Sequence, residues 1–259
     1  VASYLKETGK LELLDEVIPF YEAGKKRADR EKGTVLEHLK RSLNFTRTHL
    51  GKNKLPLLGF ADWNDCMNLP LGAESSFNAG LYAKALLEMM DICETLGDKK
   101  SVKMYKGWYE DIKKAFNDAA WDGKWWIRWF DKEGNAYGTH KAKYGKIYCN
   151  SQSWSVMSGI AYGERAVMGM DSLNQLLNTA NGVKSSTPGY RGFDGRVGGI
   201  STYPPGAKEN GGIFLHTNPW VMIAETILGR GDKAFQYYNQ INPASKNAKL
   251  DEFESEPYC

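Results

Sequence analysis

Apolar residues recur at a helical spacing in three stretches, and the connections between them are too long and too rich in glycine to be simple turns. In 34–50 the apolar positions are Val35, Leu36, Leu39, Leu43 and Leu50; in 76–96 they are Phe77, Leu81, Ala85, Met89, Ile92 and Leu96. In 102–116 they are Val102, Tyr105, Tyr109, Ile112 and Phe116. Each set falls near the 3.6-residue period that lines up one face of an α-helix. Thr34 followed by Glu37 offers a capping box at the start of the first helix. Further helices are expected over 151–161, 164–180, 219–228 and 232–241. Two junctions look alike, Glu94-Thr95-Leu96-Gly97-Asp98-Lys99 and Glu225-Thr226-Ile227-Leu228-Gly229-Arg230-Gly231-Asp232-Lys233. In each, glycine suits the left-handed backbone that ends a helix, and aspartate is placed to cap the next. Helical hairpins repeated about a core fit this pattern, and so do two unrelated, well-made turns.

The long connections are 51–75, 121–150 and 185–218. In the second, 125–130 and 136–139 flank Asp131-Lys132-Glu133-Gly134-Asn135, which predicts a small β-hairpin. Loops of this length are uncommon in a compact domain unless they build a site. The expected architecture is therefore mainly α, with helices as scaffold and the chemistry on loops gathered at one face.

Composition removes several function classes. With 34 basic and 31 acidic residues the net charge is +3. The densest basic run, Lys25-Lys26-Arg27 to Arg30-Glu31-Lys32, is broken by acids, so it reads as a solvated loop and not as a nucleic-acid footprint. No apolar run approaches the roughly 20 residues of a membrane span, and no basic-then-apolar leader opens the chain. Cys66, Cys93, Cys149 and Cys259 are widely spaced without a CxxC pair, a poor zinc set and a poor disulfide framework. A cytoplasmic protein with no bound metal or cofactor is expected. The Asn44-Phe45-Thr46 sequon falls inside a helical pattern. Val1 and the terminal Glu-Ser-Glu-Pro-Tyr-Cys suggest a piece of a longer protein.

Two segments concentrate chemistry. Gly59-Phe60-Ala61-Asp62-Trp63-Asn64-Asp65-Cys66-Met67-Asn68 packs two carboxylates, an indole and two amides into one glycine-bounded loop. Carboxylates three residues apart can cap a turn, bind a cation or do acid–base work, and a flat indole suits a sugar ring. An Asx-turn around a buried Trp63 is the plainer alternative. The second segment runs from Thr202-Tyr203-Pro204-Pro205-Gly206-Ala207-Lys208-Glu209-Asn210-Gly211-Gly212 to Ile213-Phe214-Leu215-His216-Thr217-Asn218-Pro219-Trp220. Here Lys208 and Glu209 can bond adjacent hydroxyls, and His216 precedes a helix start with Asn218 as cap and Pro219 in the first turn, a fair anion site. The alternative is a rigid loop with Lys208 paired to Glu209 and His216 in the core. His38 and His49 read as helix-surface residues, and His140 as a solvent-exposed loop residue. Trp125, Trp126 and Trp129 line a sugar cleft or, more plainly, pack across a hairpin. No HExxH, Walker-type loop or GxSxG appears.

With both segments in hand, the chain resembles the glycoside phosphorylases of glycoside hydrolase family 94, the cellobiose and chitobiose phosphorylase group. The matching blocks are 55–66 and 203–220, joined by Tyr237-Tyr238-Asn239-Gln240-Ile241-Asn242-Pro243 and Glu254-Ser255-Glu256-Pro257-Tyr258. The resemblance implies an incomplete (α/α)6 toroid over 1–259, with the family's N-terminal β-sandwich domain and the last part of the toroid absent. It implies that Asp65 is the general acid, that Trp63 packs in the donor-sugar site, that Asn64 binds substrate and that Tyr203 faces the acceptor. Lys208 and Glu209 would hold sugar hydroxyls, and His216 would bind phosphate, a co-substrate and not a cofactor. The implied reaction is inverting phosphorolysis of a β-linked disaccharide to an α-sugar 1-phosphate and a free sugar, by a cytoplasmic homodimer.

The family's donor-sugar arginine and aspartate, and its Thr-Gly phosphate loop, fall outside the matched region, so the isolated chain is expected to be nearly inactive. Cellobiose ranks first as substrate and diacetylchitobiose second, with cellodextrins and laminaribiose behind. Gly198-Gly199 stands where cellobiose-type members are expected to carry an acid, which would widen the pocket, and 69–75 resembles the chitobiose-type branch. A hydrolase on the same toroid with Glu209 as base, and a non-catalytic sugar-binding module, remain as rivals.

Overall fold

The structure, a computed structural model, describes residues 1–253. Helix α1 (Ala2–Thr8) precedes strands β1 (Val17–Pro19) and β2 (Lys32–Thr34), then α2 (Val35–Thr48), β3 (Glu74–Ser75), α3 (Ser76–Thr95) and α4 (Lys99–Ala119). There follow β4 (Trp129–Phe130), β5 (Ala136–Tyr137), β6 (Ile147–Tyr148), α5 (Cys149–Met157) and α6 (Gly163–Leu177). The chain continues through β7 (Asn178–Thr179), β8 (Gly182–Val183), β9 (Ser186–Thr187), α7 (Thr217–Ile227), α8 (Gly231–Ile241) and α9 (Leu250–Phe253). The Glu254–Tyr258 block and Cys259 lie outside the described residues.

The helices form a two-layered arc. One layer is α3, α5 and α7, in contact with one another in that order; α4, α6 and α8 pack against them from the other side. Burial separates the layers. Helix α4 buries one stripe, Tyr105, Tyr109, Ile112, Ala115 and Phe116, as its period predicts. Helix α5 buries Cys149 to Ser153 without a break, then Ser155 and Val156. Its serines and glutamine are satisfied locally, Gln152 accepting from the Trp126 amide at 3.0 Å and donating to the Trp126 carbonyl at 2.8 Å, whereas the buried Asn150 side chain finds no partner. Where α3 crosses α5 the backbones approach closely, and a Cβ on Gly80 would lie 3.1 Å from Trp154.

Helix α3 corrects the expected face. Phe77, Met89 and Ile92 are buried as expected, but Leu81 and Leu96 are both 43% exposed, while Ala79, Tyr82, Ala83, Leu86 and Cys93 fill the core. A helix covered on two sides is apolar almost all round, so its period does not identify a single buried face.

The capping box is present: the Thr34 side chain accepts from the Glu37 amide and the Glu37 side chain accepts from the Thr34 amide. Of the two similar junctions, the first behaves as expected, with Gly97 at φ +73° and Asp98 accepting from the Ser101 amide. At the second, Gly229 ends α7 at φ +72°, but Arg230 holds the N-cap position without a side-chain cap bond and Asp232 lies in the first turn. Arg230 is drawn away by Glu225 and Asp171, at 2.5 and 2.6 Å. Helix α6 stops at Leu177, short of the expected 180, because the next residues enter the β7–β8 hairpin.

The predicted hairpin forms with shorter strands. β4 pairs antiparallel with β5, Trp129 opposite Tyr137, and β3 extends the sheet on the other side of β4, Ser75 opposite Trp129. The Asp131 side chain closes the turn by accepting from the Asn135 amide at 2.8 Å. The run 125–130 is buried throughout, so its tryptophans are core and line no cleft. The long loops 51–75, 121–148 and 184–216 each lead into a helix of the α3–α5–α7 layer and therefore meet at one end of the arc.

Candidate functional site

Loop 60–68 divides its two aspartates between floor and rim. Asp62 lies under the loop with no exposed side-chain surface, and Arg128, equally covered, grips it with two bonds of 2.6 and 2.7 Å. Ser75 Oγ donates to the same carboxylate at 2.6 Å, Trp129 Nε1 at 3.2 Å and the Asn64 amide at 3.0 Å. The guanidinium also donates to Asn64 Oδ1 at 2.8 Å and stacks 3.7 Å from the Trp129 ring centroid. Burial pushes the Asp62 carboxyl up, but the charge of Arg128 and the converging donors outweigh it and hold the group below its ordinary value. Asp62 is therefore held as the carboxylate at neutral pH and is poorly suited to give a proton. Asn64, buried with its oxygen committed to Arg128, belongs to this floor.

Asp65, one turn further on, is exposed. Its carboxylate, the Cys66 thiol and the Glu209 carboxylate present atoms all within 4.8 Å of one another. Glu209 is buried, and its Oε2 has no hydrogen-bond partner. Burial, reinforced by the neighbouring charge of Glu209, pushes the Cys66 thiol up to about 12, so it is neutral at physiological pH.

Backbone contacts hold the two loops together. The Ile200 amide donates to the Cys66 carbonyl at 2.7 Å. Gly198 has φ +77° and a Cβ there would sit 3.1 Å from Asn68, while one on Gly199 would sit 3.2 Å from the Cys66 carbonyl oxygen. These glycines permit close loop packing, which corrects the expectation that they widen a pocket. The Asn210 amide staples the second loop, accepting from the Tyr190 amide at 2.6 Å and donating to the Tyr203 carbonyl at 2.7 Å.

Trp63 Nε1 donates to Nε2 of His216. An indole N–H only donates, so Nε2 is the unprotonated nitrogen and the neutral imidazole carries its proton on Nδ1. Edge-to-face contacts with Phe214, at 5.2 Å, and Trp220, at 5.7 Å, fix the Trp63 ring. His216 is exposed, not in the core. Helix α7 begins at Thr217 with His216 as N-cap, and Asn218 does not cap it: its Oδ1 accepts from the Val183 amide at 2.7 Å. The Thr217 and Asn218 amides are spent on Phe214 and Leu215 carbonyls, so an anion here meets the imidazole and not those amides.

Lys208 adopts φ +46° and places Nζ 4.9 Å from the centroid of Tyr203; no ion pair joins it to Glu209 among the described residues. The arrangement offers a surface carboxyl for proton transfer, an uncommitted buried acceptor, two aromatic faces and an imidazole N–H donor.

Sequence reasoning missed Arg128, whose one signal was a lone cation inside the aromatic run 125–130, and it passed over Cys66. His140 is also corrected: it is half-buried, its Nδ1 3.0 Å from Asp122. His38 stacks on Phe20 with centroids 3.7 Å apart, and His49 remains exposed. Among the described residues no helix is long and apolar enough to cross a membrane.

The whole chain, residues 1–259, matches the glycosyl hydrolase 94 superfamily catalytic domain. It is 34% identical over 260 residues to N,N'-diacetylchitobiose phosphorylase of Vibrio proteolyticus, covering 100% of this chain and 32% of that protein. It is 32% identical to solabiose phosphorylase of Paenibacillus borealis, covering 100% and 33%. It is 30% identical to cyclic beta-(1,2)-glucan synthase NdvB of Rhizobium meliloti, covering 100% and 10%. The chain thus spans about a third of the length of the phosphorylases it matches. Among solved structures a sialidase superposes with TM-score 0.59 at 11% identity, over 79% of this chain and 19% of that one. A GH78 family rhamnosidase of Bacillus sp. GL1 superposes with TM-score 0.52 at 11% identity, over 85% and 19%. These two likenesses concern the helical fold alone.

Proposed function

The chain belongs to the glycosyl hydrolase 94 superfamily, and from that premise we propose that it is the acid-bearing arc of an (α/α)6 toroid that phosphorolyses a β-linked disaccharide with inversion. One observation carries the reading: within a single loop Asp62 is locked as a carboxylate by Arg128, while Asp65 is exposed beside Glu209. Only Asp65 is free to hand a proton to the glycosidic oxygen as the bond to the departing sugar breaks. Phosphate attacks the anomeric carbon from the opposite face, so the β-linkage becomes an α-sugar 1-phosphate and no second catalytic carboxylate is required. His216 presents Nδ1–H to the phosphate, its tautomer set by Trp63. Trp63 packs against the donor sugar and Tyr203 faces the acceptor. Lys208 and Glu209 bind hydroxyls, and Asn64 acts from beneath by bracing Arg128.

An inverting hydrolase with Glu209 as base would need the two carboxyls about 6.5–9.5 Å apart to admit water. Asp65 and Glu209 present oxygens within 4.8 Å, too close for that arrangement, which speaks against Glu209 as an inverting base. The relatives named N,N'-diacetylchitobiose phosphorylase support that disaccharide as the first substrate to try, ahead of cellobiose.

The test is sugar 1-phosphate release from diacetylchitobiose and cellobiose by the full-length protein and its Asp65→Asn variant, with and without phosphate. The expected outcome is phosphate-dependent release that falls about 10²- to 10⁴-fold in the variant. Sugar release that ignores phosphate would sink the reading.

A further inference from the structure

Beside the proposed acid sits a thiol that the reaction does not use. Cys66 is buried, and its sulfur shares a 4.8 Å cluster with the carboxylates of Asp65 and Glu209. Glu209 is 8% exposed, and its buried Oε2 accepts no hydrogen bond. A buried oxygen without a donor carries a desolvation cost that a cation can relieve. One sulfur and two carboxylate oxygens, covered on two sides and open on the side of Asp65, match the three-ligand set with a vacant fourth position that zinc-class ions take. Zinc–sulfur and zinc–oxygen bonds of about 2.3 and 2.0 Å leave donors roughly 3.5 Å apart. Closing the cluster to that spacing takes about an ångström, within reach of an exposed Asp65 side chain.

We propose that Asp65, Cys66 and Glu209 form an inhibitory site for a thiophilic divalent cation of the zinc class, which takes Asp65 out of proton transfer when it binds. The sulfur–metal bond forms as the S–H bond breaks, the proton passes to solvent, and no electron is transferred. The oxygen-seeking ions magnesium and calcium gain nothing from the sulfur and are excluded by it. The binding half stands on the three side chains alone; the inhibitory half rests on Asp65 acting as the acid.

Cobalt(II) added to the metal-free, full-length protein tests the binding half directly. A near-ultraviolet thiolate-to-cobalt absorption is expected in the wild type, displaced by zinc and absent in Cys66→Ser. Calorimetric zinc affinity is expected to fall about 100-fold in Cys66→Ser and in Glu209→Gln. Zinc is expected to stop phosphorolysis, and a chelator to restore it. No thiolate absorption in the wild type, or an absorption that survives in Cys66→Ser, overturns the site. Turnover that persists in saturating zinc, in protein whose cobalt absorption zinc displaces, overturns the inhibition. The absorption together with no phosphorolysis under any condition keeps the site and overturns the proposed function instead.

Discussion

Among the described residues two fully covered carboxylates are paired with arginine, one beneath the site loop and one at the α7–α8 junction. Both carboxylates are fully covered, yet they are held differently. Asp62 receives two bonds from Arg128 and further ones from Ser75, Trp129 and the Asn64 amide. Glu225 receives Arg230 Nε at 2.5 Å, while its Oε1 and the Nη2 of Arg230 are buried without partners. Arg230 also divides its charge with Asp171, which Lys233 shares at 3.0 Å. Burial pushes the Glu225 carboxyl above its ordinary value despite its arginine, whereas the donors around Asp62 win and hold that group low. A single arginine does not decide the state of a buried acid; the number of donors aimed at it does.

The sharpest way to break this comparison is to remove the cation from each pair. Arg128→Met leaves a charged Asp62 buried and is expected to cost about 3–5 kcal/mol in denaturant unfolding. Arg230→Met should cost less, about 1–2 kcal/mol, because Arg230 is 20% exposed and the Glu225 carboxyl, raised by burial, takes up a proton more readily than Asp62 once its cation is gone. Equal losses would mean that donor count is irrelevant. Glu225→Gln should stay within about 1 kcal/mol of wild type, since it removes a half-satisfied charge.

The pH dependence sharpens the same point with opposite signs. The depressed Asp62 contributes stability that is present above pH 3.8, its unfolded value, and lost as pH falls through the folded value. The raised Glu225 contributes stability that is present below pH 4.5 and lost as pH rises through its folded value. Unfolding midpoints followed from acid to neutral pH should therefore show a shallower acid limb in Asp62→Asn and a shallower decline towards neutral pH in Glu225→Gln.

The parts of the fold legible in the sequence are those whose energetics are local. The α4 stripe is readable because one face of that helix is buried and the other solvated. The capping box at Thr34 and Glu37, the Gly97–Asp98 junction and the Asp131 turn each close within a few residues. The site loops were legible as composition and, by resemblance, as residues with roles.

Only the tertiary structure decided which aspartate is free. Asp62 and Asp65 share one loop, and what separates them is Arg128, 66 residues away, with Ser75 aligned by the β3–β4 pairing. The tautomer of His216 depends on Trp63, 153 residues distant, and the need for glycine at 198 depends on the backbone of Asn68. The buried face of α3 depends on two neighbouring layers at once. A residue's sequence neighbours set its backbone preference and its nearest hydrogen bonds. Whether its charge survives burial is set by the donors that the rest of the chain brings to it.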